Sequence, residues 1–191
     1  MTAPVHPLPP LRVAVIGIGN VFLGDDGFGP LVVEKFRCQF ECDPSVEIHD
    51  LGTPGLDLAP YLYGKDLVVL VDAVHAEGPP GTLSFYNEDD FVSRNARLRV
   101  TGHDPGLWDS LAHLRLADTS PLELIIIGVI PESCGFGEGI APVLLDSAST
   151  AAASIAGLLI QRGVACHRRR AAIQQNLWWL PLPGAELATT S

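Results

Sequence analysis

Basic residues are scarce in this chain: 12 lysines and arginines stand against 22 aspartates and glutamates, a formal net charge of -10. A nucleic-acid binder meets phosphates with a basic face, so that class is excluded. The one basic cluster, Arg168-Arg169-Arg170, reads as part of a solvated tail. Cysteines are few, at 38, 42, 134 and 166, and none forms a C-x-x-C pair. A structural zinc site would want tighter pairs, so these read as small buried or half-buried thiols of a reducing cytosol. Long apolar runs are missing too. Leu124 to Ile127 and Ile155 to Ile160 fall far short of the roughly 18 residues of a spanning helix, and no membrane span is expected. Met1-Thr2-Ala3-Pro4 has neither a basic start nor an apolar h-region, so a cytoplasmic protein is expected. Charge itself is sparse, 18% against 47% hydrophobic, which rules out a disordered composition.

What is present alternates. Val13 to Ile16 is an uninterrupted apolar run, as expected of a strand buried on both faces of a parallel sheet. A glycine- and aspartate-rich loop, Gly17 to Gly29, leads to a helix with Pro30 in its first turn and Val32, Phe36 and Phe40 on one face. Val46 to His49 is a second strand, followed by the turn Asp50-Leu51-Gly52-Thr53-Pro54-Gly55 and a short helix through Leu62. Leu67 to Val71 is the clearest buried strand and ends on Asp72; Thr82 to Tyr86 alternates like an edge strand. A helix over 104–117 carries Leu107, Leu111 and Leu114, with His113 on its outer face. Leu124 to Ile127 is the last buried strand, and Pro142 to Arg162 the closing helix.

Strands alternating with helices predict an α/β fold, a three-layer sandwich with a mostly parallel twisted central sheet flanked by helices, like that of phosphorylase/hydrolase-type proteins. Residues 1–10 read as a flexible leader, 11–165 as one domain and 166–191 as a tail of undetermined structure. Within that tail Trp178-Trp179 could pack back on the domain or meet a partner.

Ligands of an open parallel sheet bind beyond the carboxyl ends of its strands. Three polar features fall there: the loop with Asp25 and Asp26, then Asp72, then His103 ahead of a helix. Gly17-x-Gly19 begins like a dinucleotide fingerprint, but Phe22 occupies the third glycine's place, and two aspartates stand where a pyrophosphate would need to sit. No Walker-type lysine follows. As a metal loop the set is more coherent: two carboxylates and one imidazole suit a borderline divalent ion such as nickel or zinc, with positions left open for substrate. No Gly-x-Ser-x-Gly elbow and no H-E-x-x-H helix is present. A thiol nucleophile at Cys134 has no histidine near it in sequence.

Five ordered segments carry a resemblance. Gly17-x-Gly19-Asn20-x-x-Leu23-Gly24-Asp25-Asp26-Gly27-x-Gly29-Pro30, Asp50-x-Gly52-Thr53-x-Gly55, Val71-Asp72-Ala73, Thr101-x-His103-x-x-Gly106-Leu107, and Gly128-Val129-Ile130-Pro131 followed by Gly137-x-Gly139 and Pro142 resemble the motifs of the hydrogenase maturation proteases. The resemblance runs from about residue 11 to about 162. It implies an endopeptidase that removes the C-terminal extension of a nickel–iron hydrogenase large-subunit precursor after nickel insertion, with the precursor's nickel as recognition signal and zinc or another divalent ion as a possible surrogate. It implies Asp26, Asp72 and His103 as catalytic and metal-binding residues, with Asp25 as a substitute for Asp26. Asp50, Gly52, Thr53 and Gly55 would bind substrate. Many members carry glutamate where this chain has Asp26. His75 is outside the motif but could add a nitrogen. Metal-bound water and a carboxylate general base both remain open as the means of activating water. A non-catalytic nickel-binding chaperone and a nucleotide-binding protein are the alternatives.

Overall fold

The computed structural model describes residues 10–89, 99–100, 105–171 and 173–180. The apolar runs become the strands β1 (Val13–Ile18), β3 (Val46–Gly52), β4 (Leu67–His75) and β7 (Glu123–Val129), with β5 (Leu83–Asn87) and the short β6 (Arg99–Val100) between β4 and β7 in the chain. The helices are α1 (Phe28–Gln39), α2 (Ala59–Leu62), α3 (Pro105–Leu116) and α4 (Pro142–Gln161). The main sheet runs β3-β1-β4-β7-β5. Its first four strands are parallel, while β5 pairs antiparallel with β7, and β6 antiparallel with the end of β4. A separate antiparallel ribbon joins β2 (Phe40–Cys42) to β8 (Cys166–Arg168).

Strand residues alternate between two cores, because successive side chains point to opposite faces. Val13, Val15, Leu67, Val69, Val71, Ile125 and Ile127 face α1 and α4; Ala14, Ile16, Val68, Leu70 and Ile126 share the other core with Leu58 and Leu62 of the α2 side and Leu111 and Leu114 of α3. The result is the expected three-layer α/β sandwich around a mostly parallel sheet. Of the α3 stripe, Leu111 and Leu114 are buried and His113 is exposed.

Three boundaries differ from the sequence reading. Helix α1 stops at Gln39, and Phe40 opens β2 in an extended conformation. Phe40 still stacks on Phe36, with ring centroids 5.5 Å apart, so the apolar pattern survives the change of backbone. Strand β4 runs on past Asp72 to His75, which places Asp72 inside the strand opposite Gly128. Gly17, expected in the loop, is the penultimate residue of β1.

Helix α4 is long and apolar enough to cross a membrane by length and composition. Its buried stripe, Leu144, Ala148, Ala151, Ala152, Ile155 and Leu159, belongs to the core shared with α1 and the sheet. That stripe supplies part of its hydropathy, while Val143, Leu145 and Ile160 are exposed.

Residues 166–180, which sequence alone left undetermined, include β8 and a return path across α1. The Ile173 N–H donates to the Cys38 carbonyl, and the Asn176 N–H donates to Glu34 Oε1 at 2.7 Å. Leu177 and Leu180 pack on the α1–α4 core.

Candidate active site

The start of α1 sits directly on the carboxyl ends of β1 and β4. A Cβ on Gly29 would lie 2.2 Å from the Ile18 carbonyl oxygen and 2.5 Å from that of Val71. Only glycine permits this approach, and it delivers the preceding turn, Gly24–Gly27, to the functional edge of the sheet. Asp25 and Asp26 occupy that turn, and both are buried.

The two aspartates are used differently. Asp25 Oδ2 accepts the N–H groups of Glu132 (2.7 Å) and Ser133 (3.1 Å), while its Oδ1 accepts that of Ala141 (2.7 Å). Its own N–H donates to the Ser133 carbonyl. Asp25 is therefore a strut that ties the first loop to the loop between β7 and α4. Asp26 Oδ2 accepts the Asn20 N–H at 2.8 Å. Asp72, buried in β4, accepts the following N–H, that of Ala73, on its Oδ1 at 2.7 Å.

Cys134 lies on the loop that Asp25 braces, within electrostatic reach of these groups. Burial pushes its thiol up to about 11, and the charges of Asp26, Asp25 and Asp72 push in the same direction. The charges of Asp25, Asp26 and Asp72, from two loci of the chain, thus all act on the Cys134 thiol. At neutral pH the thiol stays protonated there, which argues against Cys134 as a nucleophile.

His103 and Thr101 lie outside the described residues. Among the described residues no group of three or more His, Cys, Asp and Glu side chains is arranged to hold a metal ion. His75 is exposed at the end of β4, paired in register with Arg99.

Beside the carboxylates runs an open groove of about 390 Å³, lined by Gly19, Asn20, Val21, Phe22, Asp50, Gly52, Thr53, Trp178 and Trp179. Three of the four residues assigned to substrate binding, Asp50, Gly52 and Thr53, line it; Gly55 begins the adjacent turn Gly55–Leu58. Asp50 Oδ1 accepts the Gly52 N–H at 3.2 Å, which shapes the turn. Gly52 and Gly55 both have positive φ and open space where a side chain would stand, so Gly52 presents bare backbone to whatever occupies the groove. Asn20 links groove and carboxylates: it lines the one, and its N–H holds Asp26 of the other.

The far wall is aromatic. Trp178 packs edge-on against Phe22, centroids 6.0 Å apart, and against Trp179 at 5.7 Å. Phe22 is 53% exposed and Trp178 67%. The sequence named all three residues but gave no reason to join them, since nothing local links position 22 to position 178.

Comparison with known proteins agrees with this architecture. The family model described as hydrogenase maturation protease matches residues 30–157. The hydrogenase 2 maturation protease of Escherichia coli K12 is 30% identical over 162 residues, covering 84% of this chain and 98% of that protein. The hydrogenase expression/formation protein HupD of Bradyrhizobium diazoefficiens is 28% identical over 166 residues, 86% of each chain. Among solved structures, the hydrogenase maturating endopeptidase HybD from E. coli superposes with a TM-score of 0.78 at 29% identity, covering 83% of this chain and 98% of its own. The [NiFe] hydrogenase maturation protease HybD from Thermococcus kodakarensis, 21% identical with a TM-score of 0.65 over 78% of this chain and 99% of its own, shares the fold. The chain belongs to the hydrogenase maturation protease family and is an endopeptidase.

Proposed function

We propose that this endopeptidase removes the C-terminal extension from the large-subunit precursor of a nickel–iron hydrogenase once nickel has been inserted, and that Asp26, Asp72 and His103 read the nickel carried by that precursor. The observation that carries the reading is the pairing of two features: buried carboxylates on two loci at the sheet edge, and an open groove with exposed glycine backbone alongside them. Carboxylates gathered in a poorly solvated spot repel one another and favour an arriving cation. The groove is open enough to admit an extended polypeptide.

In this reading the nickel belongs to the substrate. Docking brings it to Asp26, Asp72 and His103, and so positions the scissile peptide beside them. A divalent ion polarises a carbonyl and lowers the pKa of a bound water. A carboxylate of the same set can instead take the proton from water directly. Asn20 and the Asp25 strut keep the loop in place during either route. Zinc shares nickel's taste for mixed oxygen and nitrogen ligands, so zinc-loaded precursor is an informative surrogate.

The test is a mobility assay on the large subunit. Precursor loaded with nickel is incubated with the enzyme, in parallel with nickel-free and zinc-loaded precursor. Cleavage confined to metal-loaded precursor is expected. Equal cleavage of nickel-free precursor would overturn the nickel reading while leaving the peptidase intact. His103→Ala and Asp72→Asn should retain the wild-type circular dichroism spectrum and lose cleavage by at least ~100-fold.

A further inference from the structure

We propose that Cys42 and Cys166 form a redox-convertible disulfide across the β2–β8 ribbon, stapling β8 to the strand that follows α1. The two residues face each other directly in the antiparallel register, which runs Phe40 to Arg168, Glu41 to His167 and Cys42 to Cys166. The backbone hydrogen bonds fix the kind of pair. The Asp43 N–H donates to the Ala165 carbonyl, and the Arg169 N–H donates to the Gln39 carbonyl. Hydrogen-bonded pairs alternate along an antiparallel ladder, so residues 43/165, 41/167 and 39/169 form that series. Cys42 and Cys166 fall between them, at a non-hydrogen-bonded position, where Cα atoms are about 4.5 Å apart and side chains on one face come closest. That separation lies within the range of about 4.4–6.8 Å that a disulfide tolerates. Both cysteines are free, Cys166 is buried, and Cys42 is partly exposed. Each thiol is near enough to perturb the titration of the other.

The other two cysteines are placed differently. Cys38 points its thiol at Glu34 and the Gln174 carbonyl, and Cys134 lies at the sheet edge among the aspartates. Register and contact therefore select one pairing of the four thiols.

The oxidant is a low-molecular-weight disulfide such as glutathione disulfide. The more exposed Cys42, as thiolate, attacks one sulfur of the glutathione disulfide and expels a glutathione thiolate, leaving a mixed disulfide. The Cys166 thiolate then attacks the Cys42 sulfur, forms the protein disulfide and expels the second glutathione. Two protein thiols are oxidised, one glutathione disulfide is reduced to two glutathiones, and the thiol protons end on the leaving groups. Burial and the neighbouring thiol raise the Cys42 pKa, so the attacking thiolate is scarce at neutral pH. The exchange should accordingly speed up about tenfold per pH unit between pH 7 and 9.

The consequence lies downstream. β8 leads into the segment that crosses α1 and brings Trp178 to Phe22. Closing the staple fixes the root of that segment and constrains the unfolded chain over a long loop, the case in which a disulfide stabilises most.

The experiment uses the purified full chain. It is incubated with millimolar glutathione disulfide at pH 8, free thiols are blocked with iodoacetamide, and the product is digested without reduction. The expected product is a linked pair of peptides containing Cys42 and Cys166, a loss of 2 Da on the intact chain, and a thermal midpoint several degrees above that of the dithiothreitol-treated protein. The same link must form in the double variant Cys38→Ser/Cys134→Ser, which leaves only the proposed pair. A persistent glutathione adduct, linkage through Cys38 or Cys134, or linkage that appears only after denaturation would overturn the proposal.

Discussion

Asp25 and Asp26 are adjacent, equally buried and chemically identical, yet their surroundings assign them opposite tasks. Asp25 satisfies three backbone N–H groups of the loop between β7 and α4. Replacing it with alanine strands those donors, at about 1–3 kcal/mol each where they stay buried. Asp25→Ala should therefore lower stability by about 3–5 kcal/mol, a fall of roughly 10 °C in thermal midpoint for a chain of this size. Asp26→Asn keeps a carbonyl oxygen to accept the Asn20 N–H, so it should hold the wild-type midpoint within a few degrees while losing cleavage. A calorimetric scan and a cleavage assay on both variants check the pair. If Asp25→Ala were silent in stability, the strut assignment would fail. Cys134 gives an independent reading of the same spot. Its thiolate is opposed first by burial and then by Asp26, Asp25 and Asp72, so it becomes half-formed only near pH 11. Alkylation by iodoacetamide should rise about tenfold per pH unit from pH 7 up to that value. Asp26→Asn removes one opposing charge, lowers the Cys134 pKa and quickens alkylation at pH 8; burial, the larger cause, keeps it above an ordinary cysteine. An unchanged rate would mean that Asp26 does not face the thiol.

Among the elements, the contact that positions everything else is the seating of α1 on β1 and β4. Gly17 and Gly29 meet there backbone to backbone: a Cβ on Gly17 would lie 2.4 Å from the Gly29 carbonyl oxygen. Neither partner can move aside, because one is a central strand and the other the first turn of a core helix. Gly29→Ala should cost about 3 kcal/mol or more and, by lifting α1, displace the turn carrying Asp25 and Asp26. Urea unfolding measures it, and a loss below about 1 kcal/mol would show that the helix can slide. The elements themselves were largely legible in the sequence. Val13 to Ile16, Leu67 to Val71 and Leu124 to Ile127 are uninterrupted apolar runs, which only a strand buried on both faces requires. Boundaries were less legible, for identifiable reasons. Phe40 continues the four-residue spacing of Val32 and Phe36, yet it lies in β2, because the ladder to β8, from far along the chain, holds this stretch extended through the Gln39 carbonyl on one side and the Asp43 N–H on the other. Asp72 looked like a strand terminus because it is polar; β4 continues through it to His75 because β7 pairs it as far as Ala73 and β6 takes up Val74 and His75.

At the scale of the molecule, the chain returns to its own beginning. The segment after β8 crosses α1, buries Leu177 and Leu180, and sets Trp178 against Phe22 on the first loop. Here the sequence was least informative. Asp26, Asp50 and Asp72 each follow a legible strand, so their meeting at one sheet edge could be read from the α/β pattern. A contact between positions 22 and 178 has no local signature. The wall it makes belongs to the segment beyond the family match, which ends at 157. Under the function proposed above, it forms a part of the groove that the family match does not cover. Two exposed aromatic faces beside the groove offer apolar contact to a bound polypeptide without touching the carboxylates that would perform the chemistry. Trp178→Ala should therefore raise KM for the precursor about tenfold and leave kcat within a factor of about two, since burying one large aromatic on binding is worth roughly 1–2 kcal/mol. Truncation before Ile173 would be a poorer test, because it also uncovers the core beneath Leu177 and Leu180. Steady-state kinetics on the point variant separate the outcomes: a fall in kcat at constant KM would place Trp178 in the chemistry, and no change in either would reduce the wall to a structural anchor for the C-terminal segment.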